Sequence, residues 1–280
     1  MKQLLIMVFA LNIFSGALAQ DFQGIATYKT KRRLDVKLDS TQMNSEMHQR
    51  MIAMLKKRFE KTYILSFNRE ASIYKEDEVL EAPQTGGIRM MVISSQGSDI
   101  LYKNIKEHRY TSQNEVIGKI FLIKDELKKL DWTLTSEVKN IGDYTCYKAT
   151  TKRMVAIVEN RMRINGDRDM YDDTDEEPQM KEVEVMAWYT PQIPVSSGPA
   201  RYYGLPGLIL EVNDGEETIV CSKIVLNPDK KVAIKEPHKG KEINQEDFET
   251  IVEKKMEEQR NRFQNNRNQN GNHLQFRIGG

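Results

Sequence analysis

Cysteine is nearly absent from this sequence: Cys146 and Cys221 are the only two in 280 residues. In an oxidising compartment that even count permits one disulfide, which would close a long loop and add on the order of 4 kcal/mol. The same two residues equally suit a buried, unpaired role, because free cysteine behaves as a small apolar group. Histidine is scarce as well. His48 lies among charged helix residues, His108 and His238 sit in the polar segments "KEHRYTS" and "EPHKGKE", and His273 falls near the C-terminus. There is no G-x-S-x-G elbow, no H-E-x-x-H pair and no P-loop, so the local signatures of serine hydrolases, zinc proteases and nucleotide hydrolysis are missing. An oxidising compartment disfavours a thiol nucleophile, which weighs against a Cys-His dyad. Two of the 41 acidic residues can still face each other across a cleft as in a glycosidase, although no local pattern singles out a pair.

Long apolar runs are missing too, with one short exception. The chain opens MKQLLIMVFALNIFSGALAQ, in which Lys2 precedes an apolar run from Leu4 to Phe14 and small residues follow. That layout predicts a secretory signal peptide over residues 1–19, cleaved after Ala19. The run is shorter than the roughly 20 residues of a membrane-spanning helix, and Asn12 interrupts it. The expected product is exported, to the periplasm or the cell exterior, with no integral membrane span. Removing Lys2 leaves 41 basic against 41 acidic groups, and a neutral chain gives no reason to expect nucleic acid as a partner. No cofactor is implied.

What is present is alternation. Tyr63, Leu65 and Phe67 share one parity; so do Trp132, Leu134 and Val138, and so do Val183, Val185, Ala187 and Tyr189. Period two with β-branched and aromatic residues predicts half-buried strands. Weaker runs lie near 22–31, 71–76, 88–94, 99–112, 116–123, 143–151, 208–213 and 217–226, punctuated by Gly86-Gly87, Asn140–Asp143 and Asn213-Asp214-Gly215. Many strands with short connections predict a mainly β, α+β chain built on an antiparallel, meander-like sheet.

Two stretches change period. Met43, Met47, Met51, Met54, Leu55 and Phe59 form one helical stripe after Asp39 or Ser40, and Phe248, Ile251, Val252 and Met256 form another after Asn244, giving an N-terminal Met-rich helix and a C-terminal amphipathic helix. The first can offer thioethers and His48 to Cu(I), but spacings of three and four are also what core packing demands. The acidic stretch near 159–181 does not make an EF-hand, since Asp172 and Pro178 stand where Gly and Glu are needed; it reads as a solvated insertion. Residues 261–280 are rich in Asn and Gln and contain no acid, the composition of a disordered tail. A single domain over 20–260 is expected between signal and tail.

The segment "RYYGLPGLILEV" carries no group that can transfer a proton or bind a metal. Pro206 presets φ and Gly207 supplies a positive φ, so the residues predict a type II turn feeding a buried strand. The hexapeptide Gly204–Ile209 resembles the signature of the GLPGLI family, exported proteins of Gram-negative bacteria named for it. The likeness extends to Cys146, Lys148 and Ala149 in "YTCYKATT" and to Trp188, Tyr189, Ile193, Pro194, Gly198 and Pro199 in the block that follows. The resemblance implies export and a β-rich fold but no reaction. By analogy with periplasmic lipoprotein carriers, the sheet is expected to curve into a half-barrel.

Two functions remain in view. One is a non-catalytic envelope module that binds a protein, peptide or apolar ligand through Trp188, Tyr203, Gly204, Leu205, Pro206, Gly207, Leu208 and Ile209. The other is an exported hydrolase whose site is assembled from residues distant in sequence.

Overall fold

The computed structural model describes residues 22–32, 46, 49, 60–77, 100–156 and 180–269. The expected Met-rich helix, most of the acidic insertion and the strand near 88–94 lie outside these residues, apart from Glu46 and Gln49. The strands run as β1 (Gln23–Arg32), β2 (Lys61–Asn68), β3 (Ala71–Glu76), β4 (Ile100–Asn104), β5 (Arg109–Val116), β6 (Lys119–Glu126), β7 (Thr133–Ile141), β8 (Tyr144–Ala156), β9 (Met180–Thr190), β10 (Leu208–Asn213), β11 (Glu217–Leu226) and β12 (Lys241–Ile243), followed by helix α1 (Gln245–Gln269). All twelve join one sheet in the order β12-β6-β5-β4-β3-β2-β1-β11-β10-β9-β8-β7. β12 lies parallel to β6, while the other pairings among the described residues are antiparallel. The fold is therefore mainly β, as the alternation requires.

The connection from β6 to β7 dictates the shape of this sheet. In the strand order ten spacings separate them, roughly 48 Å if the sheet were flat. The seven steps from Glu126 to Thr133 reach at most about 25 Å. The sheet must curl until its two ends approach, and it does so without closing. The strap that joins them, residues 127–132, bridges the gap and sends Leu127 into the core at 4% exposure.

Alternation places the inner face. Ala26 and Tyr28 on β1 stand opposite Leu65 and Tyr63 on β2, and Leu65 stands opposite Tyr74 on β3. Tyr63 stacks on Tyr74 with centroids 4.8 Å apart, and Tyr28 meets Tyr74 edge-on at 6.3 Å. One apolar cluster runs from these strands through Val185, Ala187 and Ile209 to Phe248 of α1. The Asn244 side chain caps that helix: its Oδ1 accepts the Asp247 N–H at 2.7 Å, and its amide donates to Asp247 Oδ2 at 3.0 Å. Phe248 then meets Phe121 edge to face at 5.7 Å. The helix continues to Gln269, so the first residues expected in the tail are helical.

Two expectations change. The run near 99–112 is two strands, because residues 105–108 turn and His108 takes a φ of 52°. Leu134 and Val138 share a face with Ala149 and Tyr147 of β8, yet they are 55% and 52% exposed. β7 is an edge strand, and its register shifts between those two residues. Bulges of this kind blunt an edge against further pairing.

Candidate functional site

Among the described residues, two places combine strained backbone with an unusual arrangement of side chains. One is the long connection between β9 and β10, residues 191–207, which contains the hexapeptide. It folds back across the sheet and is fastened from several strands. Tyr28 Oη donates to the Ile209 carbonyl at 2.6 Å, Trp132 Nε1 to the Tyr203 carbonyl at 2.8 Å, and Tyr203 Oη to the Leu127 carbonyl at 2.8 Å. Each fastening satisfies a carbonyl that burial would otherwise strip of water. Within the connection, the Leu208 N–H donates to Ile193 O and the Ile209 N–H to Ser197 O, both at 3.0 Å.

The residues expected to form a contact surface are thus brought together, with their side chains inward. Leu205, Leu208 and Ile209 are at most 1% exposed and Tyr203 is 3% exposed. Gly204 and Pro206 are the outward part of the motif. Trp188 is buried on the same stretch of sheet, with Lys139 Nζ 4.4 Å from its ring centroid and also 2.7 Å from Glu211. The turn itself differs from expectation. Gly204, not Gly207, takes the positive φ, at 95°. Gly207 is required for space: a Cβ there would lie 2.2 Å from the Thr190 carbonyl oxygen. Its N–H donates to Leu205 O at 2.8 Å, a three-residue turn around Pro206 rather than a type II turn.

Lys103 on β4 is the most unusual member of this region. It is fully buried, and its Nζ donates to the carbonyls of Gly198, Ala200 and Tyr202 at 2.6, 2.7 and 3.2 Å. Burial pushes its amine down to about 7. Sequence reasoning missed this residue, although one signal was available: Lys103 shares the parity of Leu101 and Ile105, so a lysine stands at an inward position of a strand.

The second place is the far end of β5 and β6. These strands are joined by Ile117 and Gly118 alone, with φ of 50° and 73°. Two consecutive positive φ values are the signature of a type I′ hairpin turn, for which Asn-Gly is the favoured sequence. Ile117 is β-branched and strained there, and it is 53% exposed. Beside it opens a cleft of about 170 Å³, lined by Val116, Ile117, Lys119, Phe121 and, from α1, Ile251, Lys255 and Glu258. Lys255 and Glu258 pair at 2.5 Å on its rim. Sequence reasoning missed this site too; an Ile-Gly pair between two alternating runs was its signal.

The thiols lie on the strands beneath the first place, Cys221 directly across from Tyr28. Cys146 and Cys221 are buried and free, on strands with β9 and β10 between them. Burial raises Cys146 to about 11 and Cys221 to about 12, so neither supplies a thiolate near neutrality. His108 and His238 are exposed. Among the described residues no three His, Cys, Asp or Glu side chains form a metal-binding group, and no helix is long and apolar enough to cross a membrane.

Residues 132–211 match the family described as "Protein of unknown function (Porph_ging)". That stretch contains both the Tyr144–Thr151 segment and the Gly204–Ile209 motif, and the match is compatible with the GLPGLI resemblance. No curated protein matches the chain significantly. Two solved structures of PNGF-II, in different space groups, are similar at 13% identity and a TM-score of 0.47, over 82% and 83% of this chain. The chain spans about a third of that protein's length, 32% and 33% in the two structures.

Proposed function

We propose that this chain is an exported, non-catalytic binding module. Its contact site is the cleft between the β5–β6 turn and α1, and its ligand is a segment of a partner protein that presents one or two apolar side chains. The N-terminal charged, apolar and small-residue layout supports export. The strained, exposed Ile117 carries the choice of site. A left-handed β-branched residue costs about 1–2 kcal/mol, and burial does not explain it, since half of this side chain faces water. Strain of this sort persists where an outward-facing group is needed.

Volume supports a protein segment over a small molecule. Small-molecule pockets run to roughly 300–1,000 Å³ and enclose their ligand, whereas this cleft holds about 170 Å³ and opens to solvent. One or two aliphatic side chains suit it, with Lys119, Lys255 and Glu258 as a polar rim. The raised thiols weigh against a Cys-His form of the hydrolase reading.

A photo-crosslinking amino acid placed at 117 in the full chain, expressed in its own envelope, tests the proposal. The same probe at 134, another exposed apolar position, is the control. A discrete adduct at 117 that disappears with Ile251→Asp, and is absent at 134, is the expected result. Identical adduct patterns at 117 and 134, unchanged by Ile251→Asp, would overturn it.

A further inference from the structure

Lys103 and the segment 198–202 fit each other in a way that packing alone does not require. An ammonium has three N–H donors and no acceptor. Here it meets three carbonyl oxygens, at alternate positions of one short segment and all within 3.2 Å of Nζ. Loss of water on burial is what lowers its proton affinity, and among the described residues no carboxylate pairs with it. Ser72, directly across from Lys103 on β3, keeps its hydroxyl unpaired among the described residues, so the donors go to the loop. The backbone is bent to aim the carbonyls: Ala200 takes a φ of 45°, a conformation that is uncommon for alanine. Tyr202 N–H closes the turn onto Pro199 O at 3.0 Å. Rings of backbone carbonyls are how proteins replace the hydration shell of a monovalent cation. A neutral amine has two N–H donors and would turn its lone pair toward the third oxygen, so this arrangement complements the charged form.

We propose that residues 198–202 form a carbonyl cage for a primary ammonium ion, filled by the chain's own Lys103, and that filling the cage holds the Gly204–Ile209 connection on the sheet. The site takes a cation of the R–NH3+ class. Shortening Lys103 empties it and makes it available to a free amine of the same class.

The test uses the full chain with Lys103→Ala and Lys103→Met, read by amide exchange across 193–209. Lys103→Ala is expected to lose about 100-fold in protection there. Added n-butylammonium, which restores both the methylene stem and the three donors, is expected to recover most of it, whereas tetramethylammonium at equal ionic strength recovers none. Lys103→Met keeps the stem without the donors, so it loses protection and resists rescue. Wild-type protection in Lys103→Met, or equal rescue by tetramethylammonium, would defeat the proposal. If Lys103→Ala does not fold, the wild-type protein decides by nitrogen NMR of Nζ. At pH 5, below the lowered value of about 7, ammonium protons that exchange slowly support the cage; exchange as fast as at surface lysines overturns it.

Discussion

The loop that carries Gly204–Ile209 and the hairpin tip at Ile117 both hold a non-glycine residue in left-handed backbone, Ala200 at 45° and Ile117 at 50°. In the loop the strain is offset in view. The bend around Ala200 aims three carbonyls at one ammonium, and Tyr28, Trp132 and Tyr203 hold the remaining corners. At the tip nothing comparable surrounds Ile117, and an apolar group is left half in water. Strain repaid by buried hydrogen bonds marks architecture; strain left unpaid at a cleft marks contact. By that criterion the motif that looks most distinctive in the sequence belongs to the scaffold, and a site with no motif is the better candidate for recognition.

The comparison can be broken most violently at Gly207. A Cβ there has no room beneath Thr190, so Gly207→Ala is expected to cost about 3 kcal/mol, seen as a large fall in the chemical unfolding midpoint. If the variant is as stable as wild type, the close approach is not what holds the loop. Removing one fastening is milder. Tyr28→Phe leaves the buried Ile209 carbonyl unpaired and is expected to cost about 1–2 kcal/mol, with amide exchange rising first around 193–209.

At the tip the sign should reverse. Ile117→Asn creates the favoured Asn-Gly turn and is expected to stabilise the protein by about 1 kcal/mol, while weakening partner crosslinking from a probe placed at 119 in the same cleft. A destabilised Ile117→Asn would mean that the side chain serves the fold, and the contrast between the regions would collapse.

Acid gives the smallest and most selective test. Backbone N–H groups of Gln245 and Glu126 hold the Asp125 carboxyl below its ordinary range, and the Arg109 guanidinium does the same for Glu236. A depressed folded-state value contributes stability above the ordinary carboxylate range, and this is lost as the pH falls through that range toward the folded value. Below about pH 4 the first turn of α1, the helix that forms one wall of the cleft, should therefore loosen before the loop does, because the hydrogen bonds from Tyr28, Lys103, Trp132 and Tyr203 that hold the loop involve no carboxylate. Amide exchange over 245–255 and 193–209 at two pH values compares them, and equal loosening would contradict this assignment.

Much of the sheet was legible from parity: β2, β3, β9, β10 and β11 lie close to their alternating runs, and Asn244 caps the helix where the pattern places it. The curl was not legible from parity and was expected only by analogy with lipoprotein carriers, because it follows from which strands become neighbours and from a six-residue strap, and neither leaves a local trace. Leu134 and Val138 read as core for the same reason, since parity shows that residues share a face without showing whether that face is covered. Gly207 was recognised as obligatory, yet the obligation is space against Thr190 rather than φ, which depends on a strand pairing invisible in the hexapeptide. Lys103 became intelligible only once the loop lay over it.

The place of β1 sets the order in which the molecule can assemble. Its neighbours are β2 on one side and β11 on the other, and Gln23 and Asn227, which hydrogen-bond at its end, are 204 positions apart. One flank of the sheet, β2 to β6, pairs in sequence order, and so does the other, β7 to β11. Among the described strands, β1 is the one whose pairing joins the two flanks of the ladder. It leaves the ribosome first and must wait for almost the last strand before its second edge is paired, which is a high-contact-order closure and a slow one. A chain truncated after β10 would hold two half-sheets with no seam.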